Sequence, residues 1–251
     1  MGIIGKLVGG TIGFALGGPL GALAGAMFGH AYDANQRPQA LPGGQISDND
    51  RAHATFFLAA FSMLAKLVAS DGKIADREMQ TVDRFMVEDL GLEFDKRQFA
   101  YQVFNAALNS PQRFEEFGLQ FFEQFKYQPQ ILELMIDILL RVAVSDGDLN
   151  SVEAAMIHNA AQIFRFSEQR YEALKSRYVS SGLQQYYDIL KGTPNDSDDT
   201  IKSRYRQLVR EYHPDKIAAK GLPEEFTKLA TDKFREIQEA YEAVKQARGM
   251  S

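Results

Sequence analysis

The sequence predicts an all-α chain in three parts: a glycine-rich transmembrane helix, a helical bundle, and a terminal helical hairpin. Three observations carry that expectation. Residues 7–29 contain no charged side chain. From residue 50 onward apolar residues recur at helical spacing, and no segment shows the alternation of a half-buried strand. With 251 residues, 45% hydrophobic and 24% charged, the chain is long enough for two small domains plus extras and is not disordered by composition. It has no cysteine, which excludes disulfides, thiolate chemistry and cysteine-ligated zinc together.

The uncharged run from Leu7 to Gly29 would extend about 35 Å as a helix, enough to cross a hydrocarbon core of about 30 Å with some tilt. Glycine occupies positions 5, 9, 13, 17, 21, 25 and 29, a ladder with a four-residue period. In water such a helix is poor, each glycine costing up to about 1 kcal/mol against alanine. In lipid, small residues at this spacing let two backbones approach closely. Residues 1–31 are therefore expected to anchor the chain in a bilayer, and Gly9, Gly13, Gly17, Gly21 and Gly25 to form a homodimerisation surface there. A cleaved signal peptide is the competing reading, since Ala22-Leu23-Ala24 and Ala24-Gly25-Ala26 resemble cleavage sites, but the amino-terminal side offers only Lys6 and the α-amino group. Lys6 on one side against Arg37 and Arg51 on the other leans towards a cytoplasmic C-terminal body.

Residues 32–50, with Pro38, Pro42, Gly43 and Gly44, read as a linker. Beyond it, helices are expected near 50–69, 76–90, 95–108, 111–125, 129–145, 151–164 and 167–180, within a unit spanning 51–180. An internal repeat runs through this block. Ser70-Asp71-Gly72 followed by Glu78 recurs 75 residues later as Ser145-Asp146-Gly147 followed by Glu153. Asp and Gly can close one helix and turn the chain, and the glutamates fall near the start of the next helix, where the dipole favours negative charge. Asp71, Glu78, Asp146, Asp148 and Glu153 are also hard oxygen donors, but the spacing is not that of a calcium loop. The glycine follows the first Asp directly, and Ile157 stands where the twelfth-position Glu belongs. No metal site is assigned.

The last unit, 184–251, is organised around Tyr212-His213-Pro214-Asp215-Lys216. Pro214 disfavours helical backbone at His213, so the preceding helix must stop there and the tripeptide is expected as a presented loop. Upstream, Ile201, Tyr205, Leu208, Val209 and Tyr212 share one helical face, while Lys202, Arg206 and Arg210 repeat every four residues on an adjoining solvated face. Downstream, Pro223-Glu224-Glu225 reads as a helix start, and Phe226, Ala230, Phe234, Ile237, Tyr241 and Val244 form its apolar stripe. Two such helices form an antiparallel hairpin with the tripeptide at its tip.

These residues resemble a J domain, the module of DnaJ-type co-chaperones. The resemblance rests on Tyr186-Tyr187-Asp188-Ile189-Leu190, Ile201-Lys202, Tyr205-Arg206-Gln207-Leu208, His213-Pro214-Asp215 and Phe234-Arg235-Glu236-Ile237-Gln238-Glu239-Ala240-Tyr241. The paired Ser-Asp-Gly turns make the middle block similar to TerB-like helical domains. The order of anchor, TerB-like block and terminal J domain resembles the membrane-anchored DnaJ-like co-chaperones over nearly the whole chain. What the resemblance implies is a co-chaperone of the bacterial inner membrane, with its body in the cytoplasm, that binds a DnaK-type chaperone and stimulates its ATP hydrolysis. His213, Pro214 and Asp215 would trigger hydrolysis, and Lys202, Arg206 and Arg210 would supply docking charge. There is no Gly/Phe-rich stretch after the J domain and no cysteine for a zinc-binding client domain, which sets the chain apart from a general DnaJ.

An oligomeric membrane scaffold, with a ligand- or metal-binding TerB-like domain, is the alternative from another class. An enzyme is disfavoured, because His30, His53, His158 and His213 are scattered and no nucleophile elbow or phosphate loop is present. No cofactor is implied. Nucleic acid is excluded as a partner by charge: residues 51–184 hold 14 Lys+Arg against 18 Asp+Glu, and 185–251 hold 12 against 12, with none of the clustered cationic excess that phosphate binding needs.

Overall fold

Helix α2, Asp48–Val68, is the element on which the bundle is assembled. Ser47 caps it by accepting the Asp50 N–H at 3.1 Å, and Asp48 and Asp50 sit at the positive end of its dipole. Its side chains Phe56, Phe57, Phe61, Met63 and Leu64 are fully buried. It is long and apolar enough to cross a membrane, yet it lies mostly inside the protein and is a core helix. The computed structural model describes residues 16–29, 47–70, 72, 76–145, 147 and 149–250, and among these there is no strand.

Ahead of α2 lies α1, Gly18–Gly29. Around it follow α3 (Asp76–Arg84), which runs into a π-helical turn at Phe85–Asp89, then α4 (Phe94–Asn109), α5 (Phe114–Phe125), α6 (Pro129–Val144), α7 (Ser151–Ile163) and α8 (Glu168–Val179). Helices α4, α5 and α6 all pack on α2. Pro129 opens α6 at its first turn, where its missing N–H costs nothing. Asn150 caps α7 by accepting the N–H groups of Val152 and Glu153, both at 2.9 Å, while the Glu153 carboxylate accepts the Asn150 N–H at 3.3 Å.

The repeated turns behave as helix connections. Gly72 and Gly147 take φ of +89° and +148°, conformations open to glycine. Glu78 lies in the first turn of α3 and Glu153 in that of α7, and the two line one small cleft with Leu67, Val68 and Val142. No metal-holding group of His, Asp or Glu occurs among the described residues; Asp71, Asp146 and Asp148 lie outside them.

The terminal unit comprises α9 (Leu183–Ile189), α10 (Asp198–Glu211), α11 (Pro214–Ala218), a 3-10 turn at Glu224–Phe226, and α12 (Thr227–Arg248), which ends on Gly249 in the left-handed conformation. Helices α10 and α12 are antiparallel. Arg248, at the end of α12, donates to the Asp198 carboxylate at the start of α10 at 2.8 Å. At the other end His213, just past α10, meets Phe234 of α12 edge to face at 5.7 Å. Between them the Tyr205 and Tyr241 rings stack at 4.0 Å.

Two sequence expectations change. The His-Pro-Asp tripeptide is not a bare loop: His213 is the N-cap and Pro214 the first residue of the one-turn helix α11. The proline that ends one helix is preorganised to begin the next. The uncharged run is also not continuous helix in its described part, since Gly17 and Gly18 both take φ of +59° and α1 begins only at Gly18. Gly9 and Gly13 lie outside the described residues. Gly21 is on the buried side of α1 and Gly25 on the exposed side, because a four-residue step overshoots the 3.6-residue turn by about 40° each time.

Candidate docking face

The tip of the hairpin is built by α11. The His213 ring Nδ1 accepts the Asp215 N–H at 3.3 Å, and the His213 carbonyl accepts the N–H groups of Lys216 and Ile217 at 2.9 and 3.1 Å. Ile217 is buried and pins the turn to the unit's core. The Asp215 carboxylate therefore points outward with 92% of its side chain exposed, 3.8 Å from His213 Nδ1, while the His213 side chain is 47% exposed and braced by Phe234. The cap fixes the Asp215 backbone at the tip, while its carboxylate stands in solvent, open to a partner.

The cationic stripe leads up to this tip along α10. Arg206 and Arg210 are exposed and Lys202 is half-buried. Arg210 Nε donates to the Arg206 carbonyl at 3.2 Å, near the negative end of the helix dipole. Among the described residues none of these three enters an ion pair, so their charge is turned outward. The structure thus brings Lys202, Arg206, Arg210, His213, Pro214 and Asp215 to one continuous region of the terminal unit.

The remaining flank of that unit is covered by the bundle through contacts that sequence reasoning missed. Phe226 is fully buried among Phe56, Phe57 and Phe61, with ring centroids 4.7, 6.2 and 6.1 Å away. Gly221, at φ +88°, lies so close to Ala52 that an added Cβ would stand 2.6 Å from the Ala52 Cβ. Lys233, only 4% exposed, donates to Asp137 at 2.8 Å. Arg141 bridges Asp89 and Glu236, both at 2.8 Å. Glu133 gathers Arg170, Lys191 and Arg177 at 2.9, 3.0 and 3.4 Å.

Electrostatics at this seam follow from burial. Desolvation alone would raise the Glu133 carboxyl, but Arg177, Lys191 and Arg170 outweigh it and hold the group well below the carboxylate range. Asp137 is likewise lowered: burial opposes its charge, and Lys233 and Arg141 overcome that opposition. Burial and then Glu133 push the Tyr212 phenol well up, so it stays neutral. The signal that could have revealed the seam is in α6 itself. Ile131-Leu132-Glu133-Leu134-Met135-Ile136-Asp137-Ile138-Leu139-Leu140 places two carboxylates in an otherwise apolar run, and buried carboxylates require cationic partners from elsewhere.

Comparison with known proteins divides the chain in the same order. Residues 1–47 match the co-chaperone DjlA transmembrane domain, residues 57–176 match the tellurite resistance protein TerB, and residues 185–248 match the DnaJ domain. No solved structure matches. The co-chaperone protein DjlA of Shewanella oneidensis is 30% identical, with 88% of this chain and 89% of that protein covered. The corresponding protein of Vibrio parahaemolyticus is 30% identical with 99% of both covered, and that of Escherichia coli K12 is 26% identical with 89% of both covered. With an all-helical fold, an apolar amino-terminal helix and a His-Pro-Asp tip on a J domain, the chain belongs to the DjlA family of membrane-anchored co-chaperones.

Proposed function

We propose that this protein binds a DnaK-type chaperone through its J domain and stimulates that partner's ATP hydrolysis at the cytoplasmic face of the inner membrane. The observation that carries this reading is the division of the J domain into two flanks. One is buried on the TerB-like unit by Phe226, Lys233 and Glu236. The other keeps Arg206, Arg210, His213 and Asp215 exposed. A cationic face steers towards an acidic surface and speeds encounter, and an exposed carboxylate on a capped turn at its end supplies directional contacts once docked.

The hydrolysis belongs to the partner, so this chain is not an enzyme. His213 caps a helix by accepting the Asp215 N–H, and it serves neither as acid nor as base. In the bilayer the anchor also self-associates through its glycine ladder to give a homodimer, which the small residues at Gly9, Gly13, Gly17, Gly21 and Gly25 favour by allowing close helix approach.

The test is single-turnover ATP hydrolysis by a DnaK-type chaperone with the full chain in lipid vesicles. The parent accelerates hydrolysis. His213→Gln alters the cap of a one-turn helix, which costs at most about 1–2 kcal/mol and leaves the chain folded, and it abolishes the acceleration. Full stimulation by that variant refutes the assigned role.

A further inference from the structure

Helix α1 lies within the residues that match a transmembrane domain, yet the structure seats it on the TerB-like unit. Leu20, Leu23 and Ala24 are 0–2% exposed against α4 and α5, and Leu16 and Met27 pack at the edges of the same face. Its outer face carries Ala22, Gly25 and Ala26, small side chains that leave little apolar surface in water. One helix cannot give this face to the protein and to lipid at once. Its twelve residues also reach only about 18 Å, short of the roughly 30 Å of a hydrocarbon core.

Gln120 on α5 makes the seat specific. Its Oε1 accepts the Leu20 N–H at 2.8 Å, and its Nε2 donates to the carbonyls of Leu16 and Gly17 at 3.2 and 3.0 Å. One amide side chain thus stands between the Leu20 N–H and the Leu16 carbonyl, which an unbroken helix would pair, and adds a second bond to the Gly17 carbonyl, which also accepts the Gly21 N–H at 2.9 Å. Gly18 permits the approach, for a Cβ there would stand 2.9 Å from Gln120 Oε1. Gly17 and Gly18, both at φ +59°, form the break itself. In a bilayer the Leu20 N–H and the Leu16 carbonyl would have to be satisfied by unbroken helix, and glycine is the residue able to adopt either conformation.

From this we infer that the α4–α5 face, with Gln120 as its latch, is a docking groove for the chain's own anchor segment, occupied outside the bilayer and vacated on insertion. The occupant is residues 16–27 of the same chain, as seated in the structure. The inference rests on the membrane-anchored reading for its second state and on direct contacts for its first. It gives the protein a defined lipid-free form in which the anchor is shielded.

The experiment places the photocrosslinking residue benzoylphenylalanine in the full-length protein, in one chain at Met27 on the packed face and in another at Ala22 on the open face. In lipid-free buffer the Met27 probe should give crosslinks within one chain to the peptides 94–109 or 114–125, while the Ala22 probe gives none. After reconstitution into phosphatidylethanolamine–phosphatidylglycerol vesicles both probes should label lipid, and the crosslink from Met27 should disappear. Gln120→Ala should reduce the lipid-free crosslink several-fold while leaving the circular dichroism spectrum unchanged. Absence of the lipid-free crosslink in a chain with the parental melting curve overturns the groove. A crosslink between two chains reassigns its occupant and overturns the proposal as stated. Persistence of the crosslink in vesicles overturns the exchange, and if lipid also goes unlabelled it is the anchor reading that has failed.

Discussion

Replacing Asp137 by alanine tests how the J domain is held. Asp137 and Lys233 are both nearly inaccessible, 1% and 4% exposed, and lie 2.8 Å apart. Removing one partner of such a pair strands the other charge in a poorly solvated site, at a typical cost of 3–5 kcal/mol. Glu236, 3.2 Å from the same ammonium and partly exposed, takes up some of the orphaned charge. The lower end, about 3 kcal/mol, is therefore expected, which for a chain of this size lowers the melting temperature by roughly 6–12 °C. Asp137→Leu combined with Lys233→Met should recover most of that loss, because an apolar pair of similar volume removes both desolvation costs. Calorimetry of the full chain in vesicles reads both. A single variant melting within about 1 °C of the parent, or a double variant as unstable as the single, would refute the buried pairing.

Three further outcomes follow from the same geometry. Glu133 and Asp137 are held below their ordinary values of 4.5 and 3.8, so the unfolded chain takes up protons first as the medium is acidified. Their stabilisation is complete above those values and is lost as pH falls below them; melting temperature against pH should drop less steeply between pH 5 and about 3 in Glu133→Gln/Asp137→Asn, and parallel curves would remove this account. Arg206→Glu with Arg210→Glu should raise the concentration for half-maximal chaperone stimulation by at least about tenfold, with a flattened salt dependence and little change at saturation. An unaltered concentration dependence speaks against steering. In a membrane two-hybrid assay, leucine at Gly13, Gly17 and Gly21 should abolish self-association; undiminished signal would count against the ladder as a dimer surface.

Helix placement was largely legible, because caps and prolines are local. The pattern around Pro129 gives 129–145 and the structure has Pro129–Val144; the pattern before Pro214 runs to Tyr212, and α10 ends one residue earlier at Glu211 with Tyr212 as its cap. The tip residues and their cationic stripe were likewise readable, since both lie on one helix and its continuation. The start of α11 escapes the pattern because a proline that stops one helix gives no separate sign that it opens the next. The seam between the two units was missed for a different reason. Spacing places Phe226 on the stripe of the last helix, whereas it sits in the 3-10 turn before α12 and its partners lie some 170 residues earlier in the chain. Period alone says which residues are buried and is silent about what buries them. The break at Gly17 and Gly18 depends on Gln120, more than a hundred residues away, so no local pattern announces it.

The two carboxylates on α6 restrict how this architecture can be rearranged. J domains are usually thought of as cassettes that can be moved between proteins. Here, a foreign cassette lacking a lysine at the place of Lys233, or a cation at the place of Lys191, would leave Asp137 or part of Glu133's charge without a counterpart in the fold's interior. Grafts are expected to succeed only when α6 is neutralised or the seam residues travel with the module, so whoever recombines these units must treat them as one heritable piece.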